Sequence, residues 1–151
     1  MTQTKITSKI IAFAASFALL VTLLVSGCAL KFPTEAVTLE VVCPAAAGEM
    51  QGTHEFGFTI VDEQSTALDA LMAFKSLQVE DEAGNVFDFA FEDSTYGAFI
   101  TEVIGVAQDS GNLSGYYWMF YVNDEAADVG VSTYVIKDGD VISLRLETFM
   151  M

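Results

Sequence analysis

The chain has 151 residues and a formal net charge of −15 at pH 7, with six Lys and Arg against 21 Asp and Glu. This length supports a single domain with a hydrophobic core. The acidic balance argues against a nucleic-acid-binding protein and against electrostatic docking onto anionic lipid. All 21 acidic residues follow Cys28, where only four basic residues oppose them, so the charge after residue 27 is near −17. Solubility and repulsion from an anionic envelope are the expected reasons for such a surface, and the alternative, attraction of a cationic partner or of divalent ions, has no support from residue spacing.

The N-terminus has the pattern of a secretory signal. Lys5 and Lys9 precede an apolar run that extends from Ile10 to Val25, and a basic segment followed by such a run is typical of a signal peptide. The run ends in Val25-Ser26-Gly27-Cys28. This ending resembles a bacterial lipobox, in which cleavage occurs before the cysteine and a diacylglycerol is attached to its thiol. We therefore expect lipid attachment at Cys28.

This pattern predicts the domain organisation and the location of the protein. We expect a signal peptide over residues 1–27, a lipidated tether over residues 28–36 and a folded domain over residues 37–151. The protein would lie outside the cytoplasmic membrane, anchored to its outer face or to the outer membrane of a two-membrane cell. Two alternatives stay open: an uncleaved signal anchor, because the run approaches the ~17–25 residues of a spanning helix, and ordinary secretion.

The first half of the domain predicts two strands and a helix. Val37–Cys43 and residues 54–61 have strand patterns, and Phe56, Phe58 and Ile60 are expected on one face of the second strand. Thr66 and Asp69 fit a helix capping box. The amphipathic stripe of this helix comprises Leu68, Leu71, Met72, Phe74 and Leu77.

The second half has the period of two that is typical of strands. Every second residue from 87 to 91 is Phe, with Asp88 and Ala90 between them, and this alternation predicts a strand. A further strand is expected over residues 99–106. Residues 116–123 are apolar on both faces, which predicts a central strand covered on both sides. Asp-Gly within residues 137–140 predicts a hairpin between residues 134–136 and 141–146. Together, these elements predict an α+β fold with five or more strands and one main helix.

Catalytic and metal-binding patterns are absent from the sequence. No nucleophile elbow, metalloprotease helix or phosphate-binding glycine loop occurs, so we expect neither a catalytic residue, nor a metal site, nor an enzyme. Cys43 is expected to be a small buried hydrophobic residue. His54 is expected to be exposed. The alternative for His54 is that it binds a corrinoid cobalt or a divalent metal. Residues 80–84 lack the spacing of a calcium loop and predict a solvated turn.

Aromatic residues provide the candidate binding surface. Tyr116, Trp118 and Phe120 share one face of their strand, while Tyr117, Met119 and Tyr121 share the other, and one face must be core. The remaining residues would offer flat apolar surface with hydroxyl and amide hydrogen bonds. The predicted ligand contacts are Tyr96, Tyr116, Tyr117, Trp118 and Asn123. The alternative is that all the strand aromatics serve only sheet packing.

Three segments carry a resemblance to a known family. They are the Tyr-x-x-Phe-Ile-x-x-Val-Ile-Gly segment ending at Gly105, the Trp118–Asn123 segment, and the Tyr-x-Ile-x-Asp-Gly-Asp-x-Ile segment ending at Ile142. Together they resemble the bacterial domains related to the C-terminal domain of transcobalamin and intrinsic factor, over Val37 to Phe149. The resemblance implies a β-grasp-like mixed sheet. It also implies ligand binding, because in the animal carriers this domain covers one face of a corrinoid while a helical domain, which this sequence lacks, holds the other.

The sequence thus predicts a lipid-anchored small-ligand-binding module. A corrinoid such as cobalamin is its candidate ligand, a membrane transporter its candidate partner, and no resident cofactor is expected. The alternative is a surface domain with a structural or interaction role and no small ligand.

Overall fold

The computed structural model describes residues 34–148. The predicted signal peptide, Cys28 and most of the predicted tether lie outside these residues. Among residues 34–148, no helix is long and apolar enough to span a membrane.

The described domain contains one main helix and two sheets, which confirms the predicted α+β class. The strands are β1 (Thr34–Cys43), β2 (Gly52–Asp62), β3 (Phe89–Ser94), β4 (Gly97–Val103), β5 (Val106–Ala107), β6 (Tyr116–Val122), β7 (Glu125–Ala126) and β8 (Asp140–Thr148), and the helix α1 is Ala67–Ser76. The larger sheet has the order β2-β1-β8-β6-β7, and the smaller one has the order β3-β4-β5. Short 3-10 segments occur at Ala45–Met50 and Gly111–Leu113.

The first and last strands lie side by side at the centre of the larger sheet. β1 and β8 are parallel, and the other strand pairs of this sheet are antiparallel. One face of the sheet is apolar because alternate residues of both central strands are buried. We call this the core face, and the opposite one the outer face. The buried set includes Val37, Leu39 and Val41 of β1, Ile142, Leu144 and Leu146 of β8, and Ala70, Leu71 and Phe74 of α1.

The helix begins where the capping chemistry predicts. The Thr66 side chain accepts a hydrogen bond from the Asp69 backbone N–H at 3.3 Å, and Asp69 Oδ2 accepts one from the Thr66 backbone N–H at 2.7 Å. These two bonds satisfy N–H groups that have no partner within the helix. The predicted apolar stripe is only partly correct. Leu71 and Phe74 are buried, whereas Met72 and Leu77 are exposed.

A bulge in β2 reverses its predicted alternation. Pairing with β1 shifts by one residue between Thr38 and Glu40, opposite Gly57, whose φ is 66°. The extra residue moves the following side chains to the other face of the strand. Phe56 is therefore buried, but Phe58 and Ile60 are 69% and 60% exposed, so the prediction that all three share one face is wrong.

Two predicted strand arrangements in the second half are also wrong. The segment expected as one strand over residues 99–106 turns at Ile104 and Gly105, both with positive φ, and forms the end of β4 and the start of β5. Residues 134–136 form no strand. A turn does occur, since the Asp140 backbone N–H donates to Lys137 O at 3.0 Å, but β8 then pairs with β1 and β6 instead of forming a hairpin.

β6 is not a central strand. It has β8 on one side and only the two-residue β7 on the other. Most of its residues are half-buried rather than covered on both faces. The central position belongs to β8, whose pattern of apolar residues is less continuous in sequence.

Candidate functional site

The strand register separates the aromatic residues of β6 into two sets. Trp118 pairs with Leu146 and Phe120 with Leu144, so these two aromatic residues face the core. Tyr117 and Tyr121 pair with Glu147 and Ser143, and they lie on the outer face. The division into two faces agrees with the sequence pattern.

Trp118 is a core residue. It is 5% exposed, and its indole Nε1–H donates to the backbone carbonyl of Val106 at 3.1 Å. Buried tryptophans usually satisfy their N–H in this manner. Tyr116 is partly buried and packs against the same core. A ligand contact by Trp118 or Tyr116 stays a prediction, but their packing is sufficient to explain both residues.

Asn123 shapes the turn between β6 and β7. Asn123 and Asp124 have φ values of 52° and 67° between the paired residues Val122 and Glu125, as a two-residue hairpin with positive φ at both positions requires. The Asn123 side chain also ties this turn to β8, since its Oδ1 accepts from the Val141 backbone N–H at 2.9 Å and its Nδ2 donates to Asp140 at 3.0 Å. Any ligand would therefore compete with two existing hydrogen bonds.

The outer face carries a charged cluster centred on Arg145. Its guanidinium lies 4.4 Å from the centre of the Tyr121 ring and forms ion pairs with Glu40 and Asp124. The Tyr121 hydroxyl donates to Glu147 at 2.9 Å, and this hydrogen bond raises the pKa of the tyrosine. Arg145 thus links β1 and β8 with the turn that follows β6.

β3 and β4 form a hairpin that displays aromatic side chains, which we call the aromatic hairpin (residues 89–103). Tyr96, in its turn, is 93% exposed, and Phe99 and Phe91 are 43% and 36% exposed. Phe91 stacks on Phe89 with ring centroids 5.8 Å apart, and the stack continues to Phe87 at 5.7 Å. Exposed aromatics are thus continuous with the core.

The turn of the aromatic hairpin is held in place by side-chain hydrogen bonds. Ser94 Oγ donates to Gly97 O at 2.7 Å and accepts from the Tyr96 backbone N–H at 3.2 Å. Ser132 Oγ accepts from the Ala98 backbone N–H at 3.1 Å. It also lies so close to Gly97 that a Cβ there would be 2.3 Å from it. The Tyr96 backbone is therefore part of a hydrogen-bonded turn, while Tyr96 itself is 93% exposed.

A cleft of about 340 Å³ lies beside β2, and its lining includes Thr53, His54, Glu55, Asp81, Glu82 and Ala83. His54 Nδ1 lies 2.8 Å from Asp81 Oδ2, and Nε2 lies 3.0 Å from Met50 O. Both ring nitrogens of His54 are therefore engaged, one by a carboxylate and one by a backbone carbonyl. His54 is mostly buried. The prediction that it is exposed is wrong.

Asp81 organises the loop beneath this cleft. Burial alone would raise the pKa of Asp81, but hydrogen bonds from Asn85, His54 and the backbone N–H groups of Asn85 and Ala83 outweigh burial and lower it to about 2. The loop is therefore a hydrogen-bonded turn, in agreement with the sequence. Within residues 34–148, no group of three acidic, His or Cys side chains is placed to hold a metal ion.

Cys43 is buried, as predicted. Burial raises the pKa of its thiol to about 11. Since the thiolate is the reactive form, burial of Cys43 disfavours its reactive form.

Sequence reasoning missed several residues that define the aromatic hairpin. Phe91 and Phe99 follow a strand pattern, which gives no indication that they remain exposed. Ser132 is 34 residues from Ala98, so no local pattern could connect them. Of the predicted contacts, Tyr96 and Tyr117 lie on different sheets, Tyr116 and Trp118 lie in or against the core, and Asn123 lies in a turn.

Comparison with known proteins gives one family and several structures of similar fold. The model of a family described as Domain of unknown function (DUF4430) matches residues 64–148, more than half of the chain. No curated protein matches. Seventeen chains of solved structures match, and two illustrate the fold.

The first is haptocorrin, solved in complex with Cbi. It is 19% identical, with a TM-score of 0.62 over 83% of this chain and 28% of the haptocorrin chain. The chain thus spans just over a quarter of that protein. The second is a protein from Ruminococcus gnavus ATCC 29149 described as a candidate metal binding protein. It is 17% identical, with a TM-score of 0.53 over 77% of this chain and 99% of that one. At these identities the likeness concerns the fold, and the family match shows that the chain belongs to the DUF4430 family.

Proposed function

We propose that this protein is a lipid-anchored, extracytoplasmic module that binds a small organic ligand and presents it to a membrane transporter. A corrinoid is the first candidate ligand. The Val25–Cys28 motif supports the anchor and the location. The similarity in fold to part of haptocorrin, solved with Cbi, supports the ligand class.

The observation that carries the proposal is the exposed ring of Tyr96 on a hydrogen-bonded turn. A flexible loop would lose conformational entropy on binding, whereas the backbone N–H groups of Tyr96 and Ala98 already donate to the hydroxyls of Ser94 and Ser132 and restrain this turn. The ring offers a flat apolar surface and one hydroxyl. A corrin ring edged with amides, which needs apolar contact and hydrogen bonds together, suits this combination.

A binding role also fits the described residues better than a catalytic one. Both nitrogens of His54 are engaged by Asp81 and Met50, so neither is directed at a site where a substrate could lie, as a general base requires. Cys43 is buried with a raised pKa, which disfavours the nucleophilic thiolate. We therefore propose a binding protein rather than an enzyme.

Titration of the full-length protein in detergent micelles with cobalamin and cobinamide tests this proposal. Wild-type protein should bind at least one of them saturably. Tyr96→Ala should weaken binding by about tenfold, the effect of losing ~1.4 kcal/mol of contact, without changing the thermal unfolding midpoint. Met72→Ala, which truncates an exposed apolar side chain of α1, is the matched control and should bind as wild type does.

Two outcomes would oppose the proposal. If the wild type and Tyr96→Ala bind the ligand equally well, the aromatic hairpin is not part of the binding site. If titration of the wild type releases or absorbs no heat and no corrinoid is bound, the corrinoid assignment is wrong. This result would favour a role in contacts with other macromolecules. Mass spectrometry of the N-terminal peptide tests the anchor separately, because acylation adds a diacylglyceryl group to Cys28.

A further inference from the structure

We propose that Phe58, Ile60 and Val141 form an apolar patch that rests on the surface of the lipid bilayer. The inference rests on the proposed acyl anchor at Cys28, and it adds a second, direct contact between the folded domain and the membrane. We call these three residues the apolar patch.

The three side chains lie together on the outer face of the larger sheet. Thr38 of β1 pairs with Phe58 of β2 on one side and with Val141 of β8 on the other. Ile60 follows two residues after Phe58 and lies on the same face. Phe58 and Ile60 are 69% and 60% exposed, and Val141 is 36% exposed. The bulge at Gly57 turns Phe58 and Ile60 outward. Regular alternation after Phe56 would have buried them.

The apolar patch is close to the point where the chain enters the domain. Thr34, the first residue of β1, pairs with Asp62 at the end of β2. Ile60 and Phe58 lie opposite residues two and four positions further along β1, which is roughly 7 and 13 Å from Thr34 at about 3.3 Å per residue. β8 begins at the same edge because it is parallel to β1.

The distance from the lipid anchor to this edge is limited by covalent geometry. Thr34 is six residues after Cys28, and a fully extended chain spans at most about 3.6 Å per residue, or about 22 Å in all. With Cys28 acylated, the edge that bears the apolar patch would be within reach of the headgroups. Tethering raises the effective concentration of the second contact, so the three apolar side chains need less affinity for lipid than an untethered domain would.

The charge of the molecule selects a bilayer over a second copy of the chain. With a charge near −17 after residue 27, two copies repel each other, whereas zwitterionic headgroups impose no such cost. The bulge at Gly57 also interrupts the regular ladder of the edge strand β2, which disfavours strand addition by another chain. The expected contact is apolar and involves a zwitterionic interface.

Fluorophores placed on the full lipidated chain in phosphatidylcholine vesicles test the proposal. Ile60→Cys and Phe58→Cys are each labelled with a nitrobenzoxadiazole dye. Leu77→Cys is the matched control, because Leu77 is 65% exposed at the end of α1, away from the outer face. The native thiols do not interfere, since Cys43 is buried and the proposed acylation occupies Cys28.

We expect the dyes at positions 58 and 60 to shift their emission to the blue and to be quenched by nitroxide-labelled lipid, with little change at position 77. Similar quenching at all three positions, or none at any, would overturn the proposal. A blue shift that grows with protein density and resists lipid quenching would indicate a second copy and also overturn it. Mass spectrometry separates failure of the anchor, seen as an unmodified Cys28, from failure of the apolar patch on an acylated chain.

Discussion

Trp118 offers a test of core packing at the scale of a single side chain. Trp118→Ala should lower the free energy of unfolding by about 3–5 kcal/mol, because it leaves a large cavity and deprives Val106 O of its hydrogen-bond donor. Urea unfolding followed by circular dichroism measures this change. Tyr96→Ala is the control and should stay within about 0.5 kcal/mol, since the Tyr96 ring contacts mainly solvent. A stable Trp118→Ala variant that loses only ligand binding would instead support direct contact by this residue.

The lowered pKa of Asp81 predicts that the free energy of unfolding depends on pH. Its pKa is lowered from 3.8 to about 2 in the folded protein, so its contribution is present above pH 4 and is lost as the pH falls toward 2. Asp81→Asn should cost on the order of 1–2 kcal/mol near neutral pH, allowing for screening at the open cleft. Urea unfolding at several pH values should show the wild type and the variant converging between pH 4 and 2. A constant difference across this range would contradict the assignment.

At the scale of elements, the bulge in β2 depends on the backbone conformation of Gly57. With φ at 66°, this residue lies in the left-handed region, where a Cβ costs roughly 1–2 kcal/mol. Nothing else would contact a Cβ there. Gly57→Ala should therefore destabilise the protein by about 1 kcal/mol in urea unfolding, after the entropy lost from the unfolded chain is allowed for.

Gly130→Ala is the matched control for the bulge. Gly130 lacks a positive φ, and an added Cβ would be 3.8 Å from Tyr96 O, an ordinary contact. The free energy of unfolding of the Gly130→Ala variant should stay within about 0.5 kcal/mol of the wild-type value. If both variants lose the same stability, the backbone conformation at Gly57 is not the cause.

The elements that the sequence predicted well are those with local signals. The capping box and apolar residues of α1 are within a dozen residues of one another, and the alternation in β1 is regular. The incorrect strand predictions have causes that the periodicity of apolar residues does not reveal, one of them local and the other distant in sequence. One inserted residue at Gly57 reversed the face of Phe58. The Asp-Gly turn before β8 was correct, but β8 pairs with β6 and with β1, which is about a hundred residues away.

The candidate site was less predictable than the fold. Aromatic composition pointed to Tyr96 and to β6, but the sequence could not distinguish exposed from buried rings. Burial of Trp118 depends on which face of the sheet meets α1 and the smaller sheet. The hydrogen bonding next to the Tyr96 turn includes Ser132, which accepts from the Ala98 backbone N–H although it lies 34 residues further along the chain.

At the scale of the whole molecule, three features support one account: the lipobox-like motif, an acidic domain of the DUF4430 family and the exposed aromatic hairpin. The anchor would confine the domain to the membrane surface, and the acidic charge would keep neighbouring copies apart. The hairpin would remain available to a ligand. Each feature has a separate test, so the failure of one does not determine the others.

Isothermal titration of the full-length wild-type protein with cobalamin and with cobinamide tests the central claim, that this is a small-ligand-binding module with a corrinoid as its ligand. The account predicts a saturable isotherm with one site per chain for at least one of them. Flat titrations with both ligands at millimolar concentration, from protein that unfolds cooperatively, would contradict it.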